Sequence, residues 1–193
     1  MIKLQYPGSS YADKAQYYTA EINFIRKEYI LSAFHYNRVR TSFPGSEFAQ
    51  ISLFKAGLSQ FRLSPDYHKD QEYTNRAIKS LQEYQFYYPE KDSLYHEADR
   101  MILVCRNKLG EKEYMTAKLY QLMRFNRAAL IYFESVLKNF DDTKYFEPAM
   151  FGKIEILAAL KNFEEMENAE RTYNNLFPDG TFRKQIETLN ATR

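Results

Sequence analysis

The chain has 193 residues, 45% apolar, 17% aromatic and 27% charged, with a net charge of +2. This composition supplies a packed core and excludes a disordered tail, and the near-balanced charge gives no basis for a nucleic-acid stripe or a membrane-surface helix. The single cysteine, Cys105, excludes an intrachain disulfide framework, and no apolar run approaches the roughly 18 residues of a membrane span.

Behind the capping pair Ser9-Ser10, apolar residues Tyr11, Ala15, Tyr18, Ile22 and Ile25 recur at helical spacing. A second helix follows the Arg26-Lys27-Glu28 turn, with Tyr29, Ala33, Tyr36, Val39 and Phe43 as its stripe, and this hairpin stops at Pro44. The next hairpin runs from Glu47 to Phe61 and from about Arg76 to Tyr87. Between its helices lies the polar loop Ser64 to Gln71, longer than a two-helix turn requires. A helix over Ser93 to Asn107 carries Leu94, Ala98, Met101, Ile102 and Cys105; Gly110 interrupts the pattern, which restarts over Glu111 to Met123. Helices over Arg127 to Phe140, Phe146 to Leu160 and Phe163 to Leu176 follow, and 180–193 is a short capping helix or a frayed end. Ala33, Ala77 and Ala128, placed alike in second helices, allow close packing.

One phrase punctuates these helices: an aromatic residue, Pro, a small or charged turn, then a new apolar run. It occurs as Tyr6-Pro7-Gly8-Ser9, Phe43-Pro44-Gly45-Ser46, Tyr88-Pro89-Glu90-Lys91 and Phe177-Pro178-Asp179-Gly180, with Phe140-Asp141-Asp142-Thr143 as a version without Pro. Pro7 and Pro44 lie 37 residues apart, Pro44 and Pro89 45, and Phe140 and Phe177 37. Periods of this size mean stacked helical pairs, none of which buries its own apolar face alone. The expected fold is all-α: a tetratricopeptide-like right-handed superhelix of antiparallel helix pairs, an α-solenoid, with 1–193 as a single domain. Approximate repeats are 9–44, 47–89, 93–123, 111–141 and 145–178, the third and fourth overlapping, with 179–193 as a cap or tail. Such a fold acts through a surface, not through a catalytic pocket.

The residues that invite sharper chemistry have plainer explanations. His96-Glu97 forms half of a zinc-binding helix motif, but residue 100 is Arg where the second ligand is needed. His68, Asp66 and Asp70 could meet a metal, and a polar surface turn explains them as well and is preferred. His35 is a packing residue on an aromatic-rich helix. Glu164, Glu165, Glu167 and Glu170 form a solvated face or a docking surface for a basic partner, because acid–base chemistry needs carboxylates with contrasting environments. No Gly-rich phosphate loop occurs. The expectation is no enzyme, no cofactor and no metal. Residues 1–62 carry 8 basic and 4 acidic side chains and residues 141–193 carry 7 and 10, a drift that could orient a partner. The 17 Tyr and 15 Phe are the surplus: most fill helix interfaces, and others supply contact area on a concave face.

The pattern resembles the tetratricopeptide repeat, without the Trp of that family's consensus. A more specific resemblance rests on Ser64-Pro65 with Lys69-Asp70-Gln71, on Ala77-Ile78-Lys79-Ser80-Leu81-Gln82-Glu83-Tyr84, and on Tyr88-Pro89. It continues through Asn107-Lys108-Leu109-Gly110-Glu111-Lys112-Glu113-Tyr114, Ala117-Lys118-Leu119-Tyr120, Ala128-Ala129 and Phe133-Glu134-Ser135-Val136-Leu137-Lys138-Asn139. Over most of its length the chain resembles the BamD family of outer-membrane assembly lipoproteins. The resemblance implies a non-catalytic periplasmic scaffold at the inner face of the outer membrane. Its partners would be the periplasmic POTRA domains of the barrel protein BamA, other assembly-machine subunits and unfolded β-barrel precursors, with no nucleic acid. It also implies that the signal peptide, the lipid-bearing Cys and most of the first repeat belong to a longer parent, which a lipid anchor holds to the membrane while this chain itself does not insert.

In that family the N-terminal repeats are associated with substrate and the C-terminal repeats with BamA. Tyr132 stands where the family has a basic residue able to pair with BamA, which implies an aromatic anchor in place of an ion pair. An extended segment, such as the aromatic-ended terminal strand of a barrel precursor, would lie along first helices at Tyr18, Asn23, Phe54 and Arg62, with Lys55 meeting a terminal carboxylate. The competing readings are a generic tetratricopeptide adaptor or co-chaperone in the cytoplasm, holding a peptide in its groove, and a helical regulatory domain cut from an enzyme.

Overall fold

The computed structural model describes residues 11–89 and 93–191. The phrase Tyr6-Pro7-Gly8-Ser9, the Ser9-Ser10 cap, Glu90-Lys91 of the third phrase and residues 192–193 lie outside the described residues. Among the described residues the chain is all-helical: α1 (Ala12–Ile25), α2 (Tyr29–Ser42), α3 (Ala49–Leu63), α4 (Glu72–Tyr87), α5 (Ser93–Leu122), α6 (Asn126–Asn139), α7 (Phe146–Ala159), α8 (Phe163–Leu176) and α9 (Arg183–Ala191).

The packing falls into two compact units, Met1–Cys105 and Arg106–Arg193, divided inside α5. In the first, α1 packs on α2, α2 on α3 and α3 on α4; in the second, α6 packs on α7, α7 on α8, and α9 on α7. Successive helices packed on one another are the tetratricopeptide-like solenoid arrangement that the period predicts.

Two kinds of turn account for the repeated phrase. Within pairs, the turns after α1, α5 and α7 pass through a left-handed residue: Lys27 at φ 62°, Arg124 at φ 62° and Lys161 at φ 57°. At the first, the Lys27 N–H donates to the Phe24 carbonyl and the Glu28 N–H to the Asn23 carbonyl, both at 2.9 Å. These two bonds recur at Arg124 and Phe125 and at Lys161 and Asn162, and satisfy carbonyls that a helix end leaves bare. Between pairs, an aromatic residue closes the helix. Phe43, Tyr88, Phe140 and Phe177 share φ of −127° to −139° and ψ of 42° to 75°. Each still donates its N–H to the carbonyl four residues back. Pro follows three of the four, where its ring holds the preceding residue out of the helical region.

The α3–α4 connection differs, with Ser64 to Gln71 in place of a tight turn. Gln71, 5% exposed, organises it by donating Nε2 to the carbonyls of Asp66 (2.8 Å), Lys69 (3.1 Å) and Tyr67 (3.3 Å). The Thr74 hydroxyl donates to the Gln71 Oε1 at 2.7 Å, which fixes the amide.

Three sequence expectations change. α4 begins at Glu72, a turn before Arg76, because the Asp70 carboxylate accepts the Glu72 N–H at 2.9 Å. α5 runs unbroken through Gly110, so the two helices expected on either side of it are one. A Cβ at Gly110 would stand 3.1 Å from the Thr143 Oγ1 and 3.4 Å from the Phe140 Cβ, so the glycine admits the α6–α7 linker instead of breaking the helix. The close-packing alanine of α6 is Ala129, fully buried, and Ala128 is half-buried. Of the two endings expected after Pro178, the described residues show the short helix, α9.

Two core clusters serve the first unit: Ala20, Tyr36 and Ala56 join α1, α2 and α3, and Leu53, Phe54, Leu81, Tyr84, Ala98 and Met101 join α3, α4 and α5. In the second unit Ala117, Ala129, Phe133, Val136, Ala149 and Ile156 form one cluster, and Met150, Ile154, Leu157, Met166, Tyr173 and Ile186 form another. Each large apolar side chain buried here contributes about 1.5–3 kcal/mol. α7 is buried on most sides, through Ala149, Met150, Gly152, Ile154, Ile156 and Leu157, because α6, α8 and α9 all pack on it.

Candidate functional site

In the first unit, α1 and α3 carry the aromatic and charged side chains from which a binding face would be built. Tyr17 stacks on Phe48, with ring centroids 4.5 Å apart, and Tyr18 stands edge-on to Tyr17 at 5.5 Å. One turn after Tyr17, the Glu21 carboxylate accepts the Lys55 ammonium at 2.5 Å and the Tyr36 hydroxyl. The Lys55 Nζ also reaches the Tyr17 hydroxyl at 3.3 Å and lies 5.6 Å from the centre of the Tyr17 ring.

The electrostatics follow from partial burial. Burial by itself raises the Glu21 carboxyl, but hydrogen bonds from Lys55 and Tyr36 outweigh it and hold the group below the usual carboxylate range. Burial lowers Lys55, and its hydrogen bonds to Glu21 and Tyr17 more than restore it, leaving it above the ordinary lysine value. The Tyr36 hydroxyl is pushed well up by burial and then by its bond to Glu21. A carboxylate so occupied is no general base. The cluster holds three helices in register beneath an exposed apolar stripe.

That stripe runs along α1: Tyr11, Tyr18, Ile22 and Ile25 are 63%, 56%, 50% and 76% exposed and recur at helical spacing. Of the residues expected to face a peptide, Tyr18 is on it. Asn23, half-buried, donates its Nδ2 to the Thr19 carbonyl at 2.9 Å. Phe54 is corrected: it is 5% exposed, edge-on to Tyr84 at 5.5 Å, and faces the core between α3 and α4. Lys55, expected to meet a terminal carboxylate, is paired with Glu21 at 2.5 Å. Arg62, two turns further along α3, is exposed and, among the described residues, has no acidic partner. Tyr132 belongs to the second unit, where it is half-buried and stacks on Tyr120 at 5.4 Å and 16°. Sequence reasoning does not single out Tyr17, Glu21 or Phe48, and it places Tyr36 only in the apolar stripe of the second helix. The only local signal was Tyr17 and Glu21 at a four-residue spacing, one face of α1.

The other motifs resolve plainly. Glu97 pairs with Arg100, the residue that occupies the second-ligand position of the zinc motif. His35 meets the buried Gln16 through Nδ1 at 2.8 Å. Glu164, Glu165 and Glu167 are exposed on α8, and Glu170 accepts the Asn190 amide at 3.0 Å. Among the described residues no three His, Cys, Asp or Glu side chains converge to hold a metal ion, and no helix is long and apolar enough to cross a membrane.

No curated protein matches the sequence. A family model described as outer membrane lipoprotein, YfiO, matches residues 1–176, most of the chain and all of its helices before α9. With the helical pairs in place and the match this extensive, the chain belongs to the YfiO family of outer membrane lipoproteins.

Proposed function

We propose that this chain is a non-catalytic scaffold of outer-membrane β-barrel assembly, docking onto the periplasmic POTRA domains of BamA and helping recruit unfolded barrel precursors. It would work at the periplasmic face of the outer membrane, held there by a lipid anchor. The observation that carries this reading is the family match over residues 1–176. The exposed stripe of Tyr11, Tyr18, Ile22 and Ile25 on α1 supports it, since a precursor segment with alternating apolar side chains finds contact area there. Arg62, exposed on α3, replaces Lys55 as the cation available to a peptide carboxylate. Tyr132 serves, in this reading, as part of the aromatic face turned to BamA.

The test is capture from detergent-solubilised envelopes on the immobilised chain, followed by elution with increasing salt. Recovery of a barrel protein bearing POTRA domains supports the scaffold. Recovery of cytosolic chaperones alone, or of nothing above background, contradicts it and favours a generic tetratricopeptide adaptor. Salt-resistant retention assigns the contact to aromatic packing, and salt-sensitive retention assigns it to charge.

A further inference from the structure

In the second unit, the turns after α5 and α7 frame an open hollow of about 450 Å³, lined by Arg124, Phe125, Asn126, Arg127, Ala128 and Leu160. Its apolar part faces solvent, with Phe125 55% and Leu160 37% exposed, and Leu122 beside it along the chain 81% exposed. Its charged part is two guanidiniums. Among the described residues neither Arg124 nor Arg127 has an acidic partner. The turn is rigid, with the Arg124 N–H on the Gln121 carbonyl at 3.0 Å and the Phe125 N–H on the Tyr120 carbonyl at 2.9 Å.

Two unneutralised guanidiniums beside an apolar floor are complementary to a carboxylate next to an apolar side chain. We propose that this hollow binds a protein segment presenting an Asp or Glu beside a Leu- or Phe-sized side chain. The rigid turn keeps the ordering cost low, and Arg with an aromatic neighbour is the composition that anchors interfaces. A concave site suits a protruding side chain. A flat anionic bilayer suits it less, because the neighbouring turn leads into Glu164 and Glu165 at the head of α8. The inference goes beyond the scaffold reading by naming the partner's chemistry, and it holds whatever complex the partner belongs to.

The experiment is selection of a random-peptide phage library on the intact chain, with binding of the selected peptides measured to wild type, Arg124→Glu/Arg127→Glu and Arg127→Glu. Circular dichroism checks that helix content is kept, and Arg127→Glu alone keeps the test informative if the double variant unfolds. The expected result is a consensus of Asp or Glu beside Phe or Leu, with affinity falling about tenfold or more in both variants. A consensus without acids, no enrichment, or equal affinity for the variants overturns the proposal. So does Arg-dependent sedimentation with phosphatidylglycerol vesicles in the absence of an acidic–apolar consensus, which would assign the hollow to lipid.

Discussion

The Glu21 carboxylate on α1 accepts the Lys55 ammonium on α3 at 2.5 Å and also the Tyr36 hydroxyl on α2, so one acid ties three successive helices. Both charged side chains are about three-quarters buried, at 24% and 25% exposure. Truncating one partner strands the other, whereas replacing both with apolar groups removes the desolvation cost together with the attraction. Glu21→Ala is expected to lower unfolding free energy by about 1–3 kcal/mol. Glu21→Leu with Lys55→Leu is expected to be within about 1 kcal/mol of wild type. Urea unfolding followed by circular dichroism checks both.

Acid stability has a definite sign. Glu21 lies below the ordinary carboxylate range through its bonds to Lys55 and Tyr36, and Asp142 lies there through its hydrogen bond to Arg106. For both, the unfolded chain binds protons at a higher pH than the native one. Their stabilisation is fully present above about pH 5 and drains away as pH falls through the lowered native values. Lys55 runs the other way: its native value is raised, so its contribution holds below about pH 10 and is lost as pH rises beyond the ordinary lysine value. Glu21→Gln and Asp142→Asn should each flatten the acid limb of a stability–pH curve while leaving its slope between about pH 6 and 8 unchanged.

Gly152 of α7 is held by packing. A Cβ there would fall 2.5 Å from the Phe133 Cε1 and 2.9 Å from its Cε2, and Phe133 is fully buried with nowhere to retreat. Gly152→Ala gains about 1 kcal/mol of helix propensity and loses more to the clash, for a net destabilisation of about 1–2 kcal/mol. Gly45→Ala, with nothing within 4 Å of the added carbon, is the control and should change stability little. Thermal unfolding of the two variants side by side decides it.

The aromatic-Pro phrase could be read in the sequence because Pro acts on its immediate neighbour, and the closing geometry of Phe43, Tyr88 and Phe177 is local. Gly110 could not be sorted the same way. A glycine that ends a helix and a glycine that admits a neighbouring linker look alike until Phe140 and Thr143, some 30 residues on, are in place. Phe54 and Lys55 are adjacent, so they point about 100° apart around α3, and only the packing of α4 decides which is core. The same one-step rotation separates Ala128 from Ala129. The acid that occupies Lys55 lies 34 residues away on another helix, and pairing across helices leaves no mark in either segment.

Lys161 sits at φ 57°, where a side chain is strained and glycine is not. The two backbone hydrogen bonds of the turn would be unchanged by its removal. Lys161→Gly is expected to stabilise the fold by about 0.5–1 kcal/mol, the relief of strain exceeding the added freedom of the unfolded chain. A rise in melting temperature checks it, and a fall would show that the lysine side chain contributes more than its backbone costs.

The proposed docking to the assembly machine is tested most directly by a binding isotherm between the chain and the purified periplasmic POTRA domains of BamA from the same source. Saturable binding is expected, weakened by Tyr132→Ala without loss of helix content. No binding by a chain whose helix content and cooperative unfolding are intact would contradict it.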